Sequence, residues 1–135
     1  MASVAAKSVE RSNIRSDKSK VEGVWTGGGA AADCTQSQDD HSAGITAVAY
    51  NGATGKYRVT VTEWGQQLVP GTHVEVHRAA AAAALVANVV RSVTVSGNTA
   101  TVDFEVWSLA GALTDLATTD KVAITLAFSK TKPVY

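Results

Sequence analysis

The feature that most constrains the fold of this chain is a series of short segments in which apolar and polar residues alternate. In the segment 56–64, Tyr57, Val59 and Val61 point to one side of an extended chain, and polar residues point to the other. This period of two is typical of an antiparallel β-strand that buries one face and leaves the other in water. Similar segments occupy residues 45–50, 73–78, 91–95, 101–107 and 121–128.

The alternation also predicts which residues face the core. In residues 45–50 it places Ile45 with Ala47 and Ala49 on one face of a strand, and Val48 on the other. Residues 91–95 and 101–107 flank Ser-Gly-Asn-Thr and form the clearest hairpin of the chain. The predicted inward residues of this hairpin are Val93, Val95, Val102, Phe104 and Val106, and those of the last strand are Val122, Ile124, Leu126 and Phe128.

Turn residues separate the strands at close intervals, and this favours one architecture. Residues 51–55, Asn-Gly-Ala-Thr-Gly, tolerate the positive φ angles that tight hairpins require. Many short strands with brief turns predict an all-β domain, either an antiparallel β-sandwich or a jelly-roll-like body, rather than a parallel α/β fold. The length of 135 residues is that of a single domain.

Two stretches of small residues interrupt the strand pattern. Residues 79–84 are six alanines, for which we expect a loop or one short helical turn packed by Leu85 and Val86; a tightly packed strand is the alternative. Residues 26–32, Thr-Gly-Gly-Gly-Ala-Ala-Ala, predict a flexible loop or a close-contact edge. In both places, small side chains would let a neighbouring backbone or subunit approach closely.

Charge divides the chain into two parts. Twelve Lys and Arg balance twelve Asp and Glu, but residues 1–20 hold five basic and two acidic residues, and the remainder holds seven and ten. Residues 1–20 contain too little apolar surface to fold alone, so we predict a flexible, extended basic arm on a β-domain of residues 21–135. The candidate partner-binding cations of this arm are Lys7, Arg11, Arg15, Lys18 and Lys20.

The arm is predicted to bind an acidic surface, such as that of another subunit. Lys7, Arg11 and Arg15 are spaced by four residues, so they would align if the arm became helical on a partner. The alternative is a solvated terminus without a partner. The zero net charge argues against nucleic acid, whose binders normally carry a basic excess.

No group of residues has the spacing that catalysis or metal binding requires, and we predict no catalytic, cofactor or metal site. His73, Glu75 and His77 share one strand face, but the two histidines would lie about 13 Å apart, so a polar outer face is expected. Residues 39–41, Asp-Asp-His, predict an acidic exposed loop. The single Cys34 has no neighbouring cation to lower its pKa, which argues against a nucleophilic role.

The start of the chain and its hydropathy bear on compartment. Residues 1–20 lack the basic start and apolar stretch of a signal peptide, so we expect folding in the cytoplasm of the cell that makes the protein. No apolar run approaches the roughly 20 residues of a membrane span, so no membrane partner is predicted.

Three tryptophans are candidate anchors for a core, an interface or a sugar. They are Trp25, Trp64 and Trp107. Because Trp107 follows the inward-facing Val106, it is predicted to lie on the outer face, at least partly accessible. It is the aromatic residue that we predict to contact a partner.

Several stretches resemble the small decoration, or cement, proteins of tailed-bacteriophage capsids. They are residues 50–62 (YNGATGKYRVTVT), residues 98–107 (NTATVDFEVW) and the last strand ending in Phe-Ser-Lys at 128–130, all preceded by a basic arm. The likeness covers roughly residues 44–130. It implies a β-sandwich or jelly-roll-like body without catalysis.

The resemblance also implies partners and a location. They are self-association as a dimer or trimer, binding to the major capsid protein at local symmetry axes, and a place on the outside of the virion. No motif of the family assigns a role to an individual residue. The alternative is a carbohydrate- or receptor-binding β-sandwich module of a phage fibre or spike, and a small hydrolase is the least favoured interpretation.

Overall fold

The computed structural model describes residues 18–36, 42–62, 67–68, 71–79, 81–97 and 99–129 of the chain. These residues contain ten strands and no helix, and so no helix able to cross a membrane. The strands are β1 Lys18–Thr26, β2 Thr35–Gln36, β3 Ser42–Ala43, β4 Ile45–Tyr50, β5 Lys56–Val61, β6 Gln67–Leu68, β7 His73–His77, β8 Leu85–Ser96, β9 Thr99–Ser108 and β10 Lys121–Ser129.

The strands form two antiparallel sheets that share one core. The first sheet has the order β2-β1-β10-β6, with β3 also beside β1 and β7 also beside β10. The second sheet has the order β4-β5-β9-β8. Because residues of both sheets belong to one continuous buried cluster, the two sheets form the two layers of a β-sandwich, and the all-β prediction is confirmed.

The inner faces follow the predicted alternation in the central strands. Tyr57, Val59 and Val61 of β5 are buried, and the ring of Tyr57 stacks on that of Phe104 with centroids 5.4 Å apart. The predicted inward residues of β10 are all buried: Val122, Ile124, Leu126 and Phe128. The turn at residues 51–55 joins β4 to β5 as predicted, with Asn51 N–H donating to Lys56 O.

The predicted faces of β4 are wrong at one position. Ile45 and Val48 are both buried, although strict alternation would place them on opposite faces. The pairing of β4 with β5 shifts register between Ile45 and Ala47. An extra residue in one strand reverses the alternation beyond it, so both side chains reach the core.

The edge strand β8 departs from prediction at both ends. It begins at Leu85, directly after the alanines, whereas the sequence pattern predicted this strand only from residue 91. Leu85 is buried as expected, but Val86 is 51% exposed and does not pack the alanine loop. Val95, predicted to face inward, is 39% exposed because β8 lies at the margin of its sheet. The alanine stretch itself is a loop with a turn, in which Ala82 N–H donates to Ala79 O over 2.9 Å.

The first strand begins three residues before the predicted start of the domain. Lys18, Ser19 and Lys20 pair with residues at the end of β10, Lys18 opposite Ser129. Main-chain hydrogen bonding thus makes residues 18–20 part of the sheet, although their polar character led to the prediction that they belong to the arm. Residues 1–17 lie outside the described residues.

Candidate functional site

Four connections meet at one end of the sandwich. They are residues 27–34, 51–55, 78–79 with 81–84, and 109–120, and we call them together the loop pole. Antiparallel strands return to the same end at every second connection, which brings these four loops together although they are far apart in sequence. Side-chain and main-chain hydrogen bonds then join them to one another.

Asp115 connects three of the four loops. Its Oδ1 accepts a hydrogen bond from Gly55 N–H at 2.7 Å, and its Oδ2 accepts one from Ala31 N–H at 3.1 Å. Hydrogen bonds from main-chain donors to a charged acceptor are stronger than neutral ones. Asp115 therefore holds residues 27–34 and 51–55 against residues 109–120.

Asp120 connects the alanine loop to the same framework. Its side chain is 1% exposed and accepts hydrogen bonds from Arg78 Nε at 2.9 Å and from Ala117 N–H at 2.8 Å. Arg78 Nη1 also donates to Ala83 O over 2.7 Å, which folds the alanine loop back on itself. One buried ion pair thus fixes both the alanine loop and the start of β10.

The core itself supports the loop pole from below. The buried hydroxyl oxygen of Tyr57 accepts a hydrogen bond from Leu116 N–H at 2.8 Å. Burial raises the pKa of Tyr57 from 10.0 to about 12, although this hydrogen bond acts in the opposite direction. A neutral phenol therefore anchors residues 109–120 throughout the physiological range.

The glycine-rich loop is tightly packed rather than flexible. A Cβ atom at Gly27 would collide with Ala117 O, and one at Gly28 would collide with Asp33 O. Asp33 Oδ1 in turn accepts a hydrogen bond from Tyr50 N–H at 2.8 Å. The close contacts of Gly27 and Gly28 are made within the chain, and contact of this loop with another subunit stays a prediction.

The outward surface of the loop pole is nearly uncharged. The charged residues of its loops are Asp33, Arg78, Asp115 and Asp120, and each makes hydrogen bonds within the chain. Apart from Asp33 and Leu109, its exposed residues are alanine, glycine and threonine. The side chain of Leu109 is 73% exposed. The charged groups of these loops make hydrogen bonds that fix the shape of the loops, and the surface left toward solvent consists mainly of small side chains.

An apolar row on the outer face of the second sheet adjoins this pole. Val86 lies directly across from Trp107 in the β8–β9 pair, and Leu113 forms a bridge to Trp107 from the other side. Trp107 is half-buried and outward-facing, as predicted, because Val106 before it is buried. We call Val86, Trp107 and Leu113 the apolar row.

Among the described residues, none of the predicted partner-binding cations of the basic arm lies at the loop pole or the apolar row. Lys20 lies at the Ser129 end of the first sheet, away from the loop pole, and its Nζ is 3.8 Å from Glu22 Oε2. Lys18 lies in β1, while Lys7, Arg11 and Arg15 lie outside the described residues. The partner-binding role of the arm therefore remains a prediction.

The other candidates examined in the sequence take ordinary positions. His73, Glu75 and His77 are exposed on the outer face of β7, with His77 Nε2 3.3 Å from Glu75 Oε2. Among the described residues, no three His, Cys, Asp or Glu side chains come close enough to hold a metal ion. Residues 39–41 and Trp64 lie outside the described part of the chain, and Trp25 belongs to the core.

Cys34 is buried beside the β4 edge. Burial, together with the charge of Asp33, raises the pKa of its thiol from 9.0 to about 12. The thiolate is the reactive form of cysteine, and it is absent near neutral pH at this position.

The residues that fix the loop pole were not singled out in the sequence. Asp115 and Asp120 lie in loops, where aspartate usually signals a solvated turn. Their spacing from Gly27–Gly29 is about ninety residues, so no local pattern connects them. The one available signal is that aspartates stand next to glycine- and alanine-rich loops with many main-chain N–H groups to satisfy.

Comparison with known proteins adds no assignment. The chain matches no protein-family model, no curated protein sequence and no solved structure.

Proposed function

We propose that this protein is a structural adhesive that binds the outside of a bacteriophage capsid and stabilises the shell. Its partners are the major capsid protein and further copies of itself, and its place is the exterior of the virion. The proposal rests on the resemblance of residues 44–130 and on the character of the loop pole.

The observation that carries the proposal is a fixed end surface of small side chains, with Leu109 projecting from it and Asp33 as its one exposed charged residue. Alanine and glycine lose no side-chain entropy on docking, and a surface with a single exposed charged residue has a small desolvation cost. The hydrogen bonds of Asp115 and Asp120 fix the loops before binding, so little ordering entropy remains to be lost. A large side chain such as Leu109, exposed amid small ones, is suited to a pocket on a partner.

Adhesion of this kind stabilises a shell by linkage. A protein that binds the assembled shell more tightly than free subunits shifts the equilibrium toward the shell. Many copies on one lattice multiply a modest contact energy, so each contact is allowed to be weak.

The basic arm extends the contact beyond the body. Residues 1–20 carry a net charge of +3 in the sequence, which favours an acidic patch on the partner. Because β1 begins at Lys18, the appropriate deletion removes residues 1–17 only. We expect this deletion to leave the sandwich folded and to weaken shell binding in a salt-dependent manner. Equal occupancy of shells by the truncated and full chains would exclude the arm from the contact.

The proposed function is tested by quantifying the protein in virions. Virions purified from the biological source of the gene should contain this chain at a fixed ratio to the shell protein, and stripping it should lower the temperature at which shells open. A chain that is absent from virions, or present at a ratio that varies between preparations, would refute the proposal.

Trp107 separates the adhesive from the glycan-binding alternative. We expect Trp107→Ala to weaken self-association or shell binding, because it removes the centre of the apolar row. A change in tryptophan fluorescence on titration with glycans, lost in Trp107→Ala, would instead assign the row to carbohydrate binding.

A further inference from the structure

Within the described residues, one edge of the second sheet is covered by another segment of the chain, and the opposite edge is not. The edge strand β4 is covered by residues 33–34: Cys34 N–H donates to Val48 O at 2.9 Å, and Asp33 accepts from Tyr50 N–H at 2.8 Å. The opposite edge strand, β8, has 12 residues and pairs only with β9 in the described part of the chain. An edge that remains unpaired is a template for another strand.

The hydrogen bonds of β9 show which main-chain groups of β8 point outward. Val106 lies opposite Ala87, but Val106 N–H donates to Gly55 O and Val106 O accepts from Thr114 N–H. The main-chain groups of Val106 therefore point away from β8. At such a position of an antiparallel pair, the main-chain N–H and C=O groups of both residues point away from the partner strand. The N–H and C=O of Ala87 therefore point toward the free edge of β8.

The same alternation extends along the first part of β8. Ser108, opposite Leu85, donates its N–H to Ala112 O, again away from β8. The register is continuous from Leu85 to Val89, so Leu85, Ala87 and Val89 all present main-chain groups outward. No segment within the described ranges forms hydrogen bonds with these groups.

A groove adjoins this row of unpaired groups. It has a volume of about 310 Å³ and lies between β7 of one sheet and the start of β8 of the other. Val76 and Ala87 contribute to its walls, and Val86, 51% exposed, borders it on the outer face. The edge is therefore flanked by the apolar side chains of Val76, Val86 and Ala87, which suit an added strand, while Glu75 and His77 of β7 line the same groove.

We propose that the edge of β8 from Leu85 to Val89 pairs antiparallel with the same segment of a second copy of this chain. The pairing would extend the second sheet across a two-fold axis near Ala87. The inference deepens the proposed function by naming the surface of self-association, but it is tested on the free protein without any shell.

Charge favours a second copy as the occupant. Residues 85–90, Leu-Val-Ala-Asn-Val-Val, carry no charge, and the next charged residue is Arg91. Two identical segments therefore meet without like-charge repulsion, and an isologous contact closes on itself. With two-fold symmetry, each Ala87 donates to and accepts from the partner strand, so the donors and acceptors match by construction.

The size of the contact sets the expected strength. Stable interfaces bury roughly 1,200–2,000 Å² in total, more than a pairing of five residues supplies. The free protein is therefore expected to dimerise with a Kd on the order of 0.1–1 mM, measurable in concentrated solution. On a lattice, neighbouring contacts would make the same pairing effectively permanent.

Ala87→Pro is the most direct variant. Proline is accepted in edge strands where the N–H faces outward, so pairing with β9 should persist while the outward donor is lost. Because the dimer loses two such donors, we expect self-association to weaken by about tenfold or more. Circular dichroism and a urea titration verify that the variant is folded.

Two variants with a charge at position 86, Val86→Lys and Val86→Glu, test the same contact independently if Ala87→Pro does not fold. Val86 is exposed, so either charge is tolerated by the fold, but like charges across the axis should abolish self-association. An equimolar mixture of the two variants should restore a dimer. Thr94→Lys, at an exposed position further along the same strand, is the matched control and should dimerise like the original chain.

Sedimentation equilibrium from 10 µM to about 2 mM, a range that spans the expected Kd, provides the measurement, with amide hydrogen exchange as the second readout. The proposal expects the amides of Leu85, Ala87 and Val89 to exchange more slowly as concentration rises. Those of Val86 and Asn88, which point toward β9, should not change. A chain that stays monomeric at 2 mM, or a dimer unaffected by Ala87→Pro and the Val86 variants, would overturn the proposal. Protection of these amides only on addition of shells would assign the edge to another protein instead.

Discussion

Arg78 and Asp120 form the one ion pair among the described residues that includes a buried carboxylate. The guanidinium Nε lies 2.9 Å from Oδ1 of Asp120, whose side chain is 1% exposed, and Arg78 itself is largely covered. The pair joins the end of β7 to the start of β10 across the alanine loop. It gives the loop pole a defined shape at a point where the alanines provide almost no packing of their own.

Loss of this pair should destabilise the protein strongly. We expect Arg78→Ala to lower the free energy of unfolding by about 3 kcal/mol, because a buried carboxylate is left without its cation. The control is Arg58→Ala, which removes the exposed pair with Asp103 and should cost less than about 1 kcal/mol. Urea unfolding of both variants provides the comparison, and equal losses would show that Asp120 does not depend on Arg78.

Asp115 should contribute more to the stability of the loops than its partial exposure implies. We expect Asp115→Ala to cost about 2–3 kcal/mol, since two main-chain N–H groups lose a charged acceptor. Amide hydrogen exchange at Gly55 should accelerate markedly, while that at Val59 in the neighbouring strand should not. Unchanged exchange at Gly55 would contradict the role assigned to its 2.7 Å hydrogen bond.

Replacement of a loop-pole glycine by alanine should destabilise the protein by an amount that depends on the space around that glycine. Gly27→Ala places a methyl group against Ala117 O and should destabilise the protein by about 3 kcal/mol. Gly52 has open space around it and a φ of +75°, so Gly52→Ala should cost only about 1–2 kcal/mol through backbone strain. Thermal unfolding of the two variants tests this order, and a reversed order would contradict the close packing of residues 27–34.

The buried thiol of Cys34 predicts a loss of stability at alkaline pH. Its pKa is raised from 9.0 to about 12, so the folded state holds the proton more tightly than the unfolded state. This contribution is fully present below pH 9 and is lost as the pH rises toward 12. At pH 10.5 the loss should be about 1–2 kcal/mol.

Cys34→Ala isolates the contribution of the thiol. The variant should lose less stability than the original chain between pH 7 and pH 10.5 in urea titrations, because the titrating group is gone. Tyr57, whose pKa is also raised, remains in both proteins; because the charge of Cys34 is one cause of that raised pKa, the removal of Cys34 reduces the alkaline loss in the same direction. Identical pH dependences would show that Cys34 does not titrate differently in the folded and unfolded states.

The strands that sequence predicted correctly have both a regular period and clear turn residues. Tyr57, Val59 and Val61 follow Asn-Gly-Ala-Thr-Gly, and the strand and its turn form where the pattern places them. The last strand has four inward residues at strict alternation and is likewise correct. In these segments, local preference and burial favour the same structure.

The predictions from sequence are wrong where the structure of a segment depends on residues that are distant in sequence. Val48 is buried because a bulge against β5 changes its face, and nothing within residues 45–50 signals that bulge. Residues 85–90, Leu-Val-Ala-Asn-Val-Val, lack a strict alternation of apolar and polar residues, and they form a strand because they pair with β9. The loop pole depends on hydrogen bonds between residues such as Asp115 and Ala31, 84 apart in sequence, which no local pattern encodes.

The most direct test of the central claim is the binding of two matched charge variants to capsids. Leu109 is exposed at the loop pole and Thr94 is exposed on β8, so aspartate at either position should leave the fold intact. Stripped shells from the same virions would be titrated with the original chain, Leu109→Asp and Thr94→Asp, and bound protein would be measured by sedimentation. The account predicts that Leu109→Asp loses shell binding at least tenfold, about 1.4 kcal/mol, while Thr94→Asp binds like the original chain. Undiminished binding by Leu109→Asp would contradict a docking role for the loop pole.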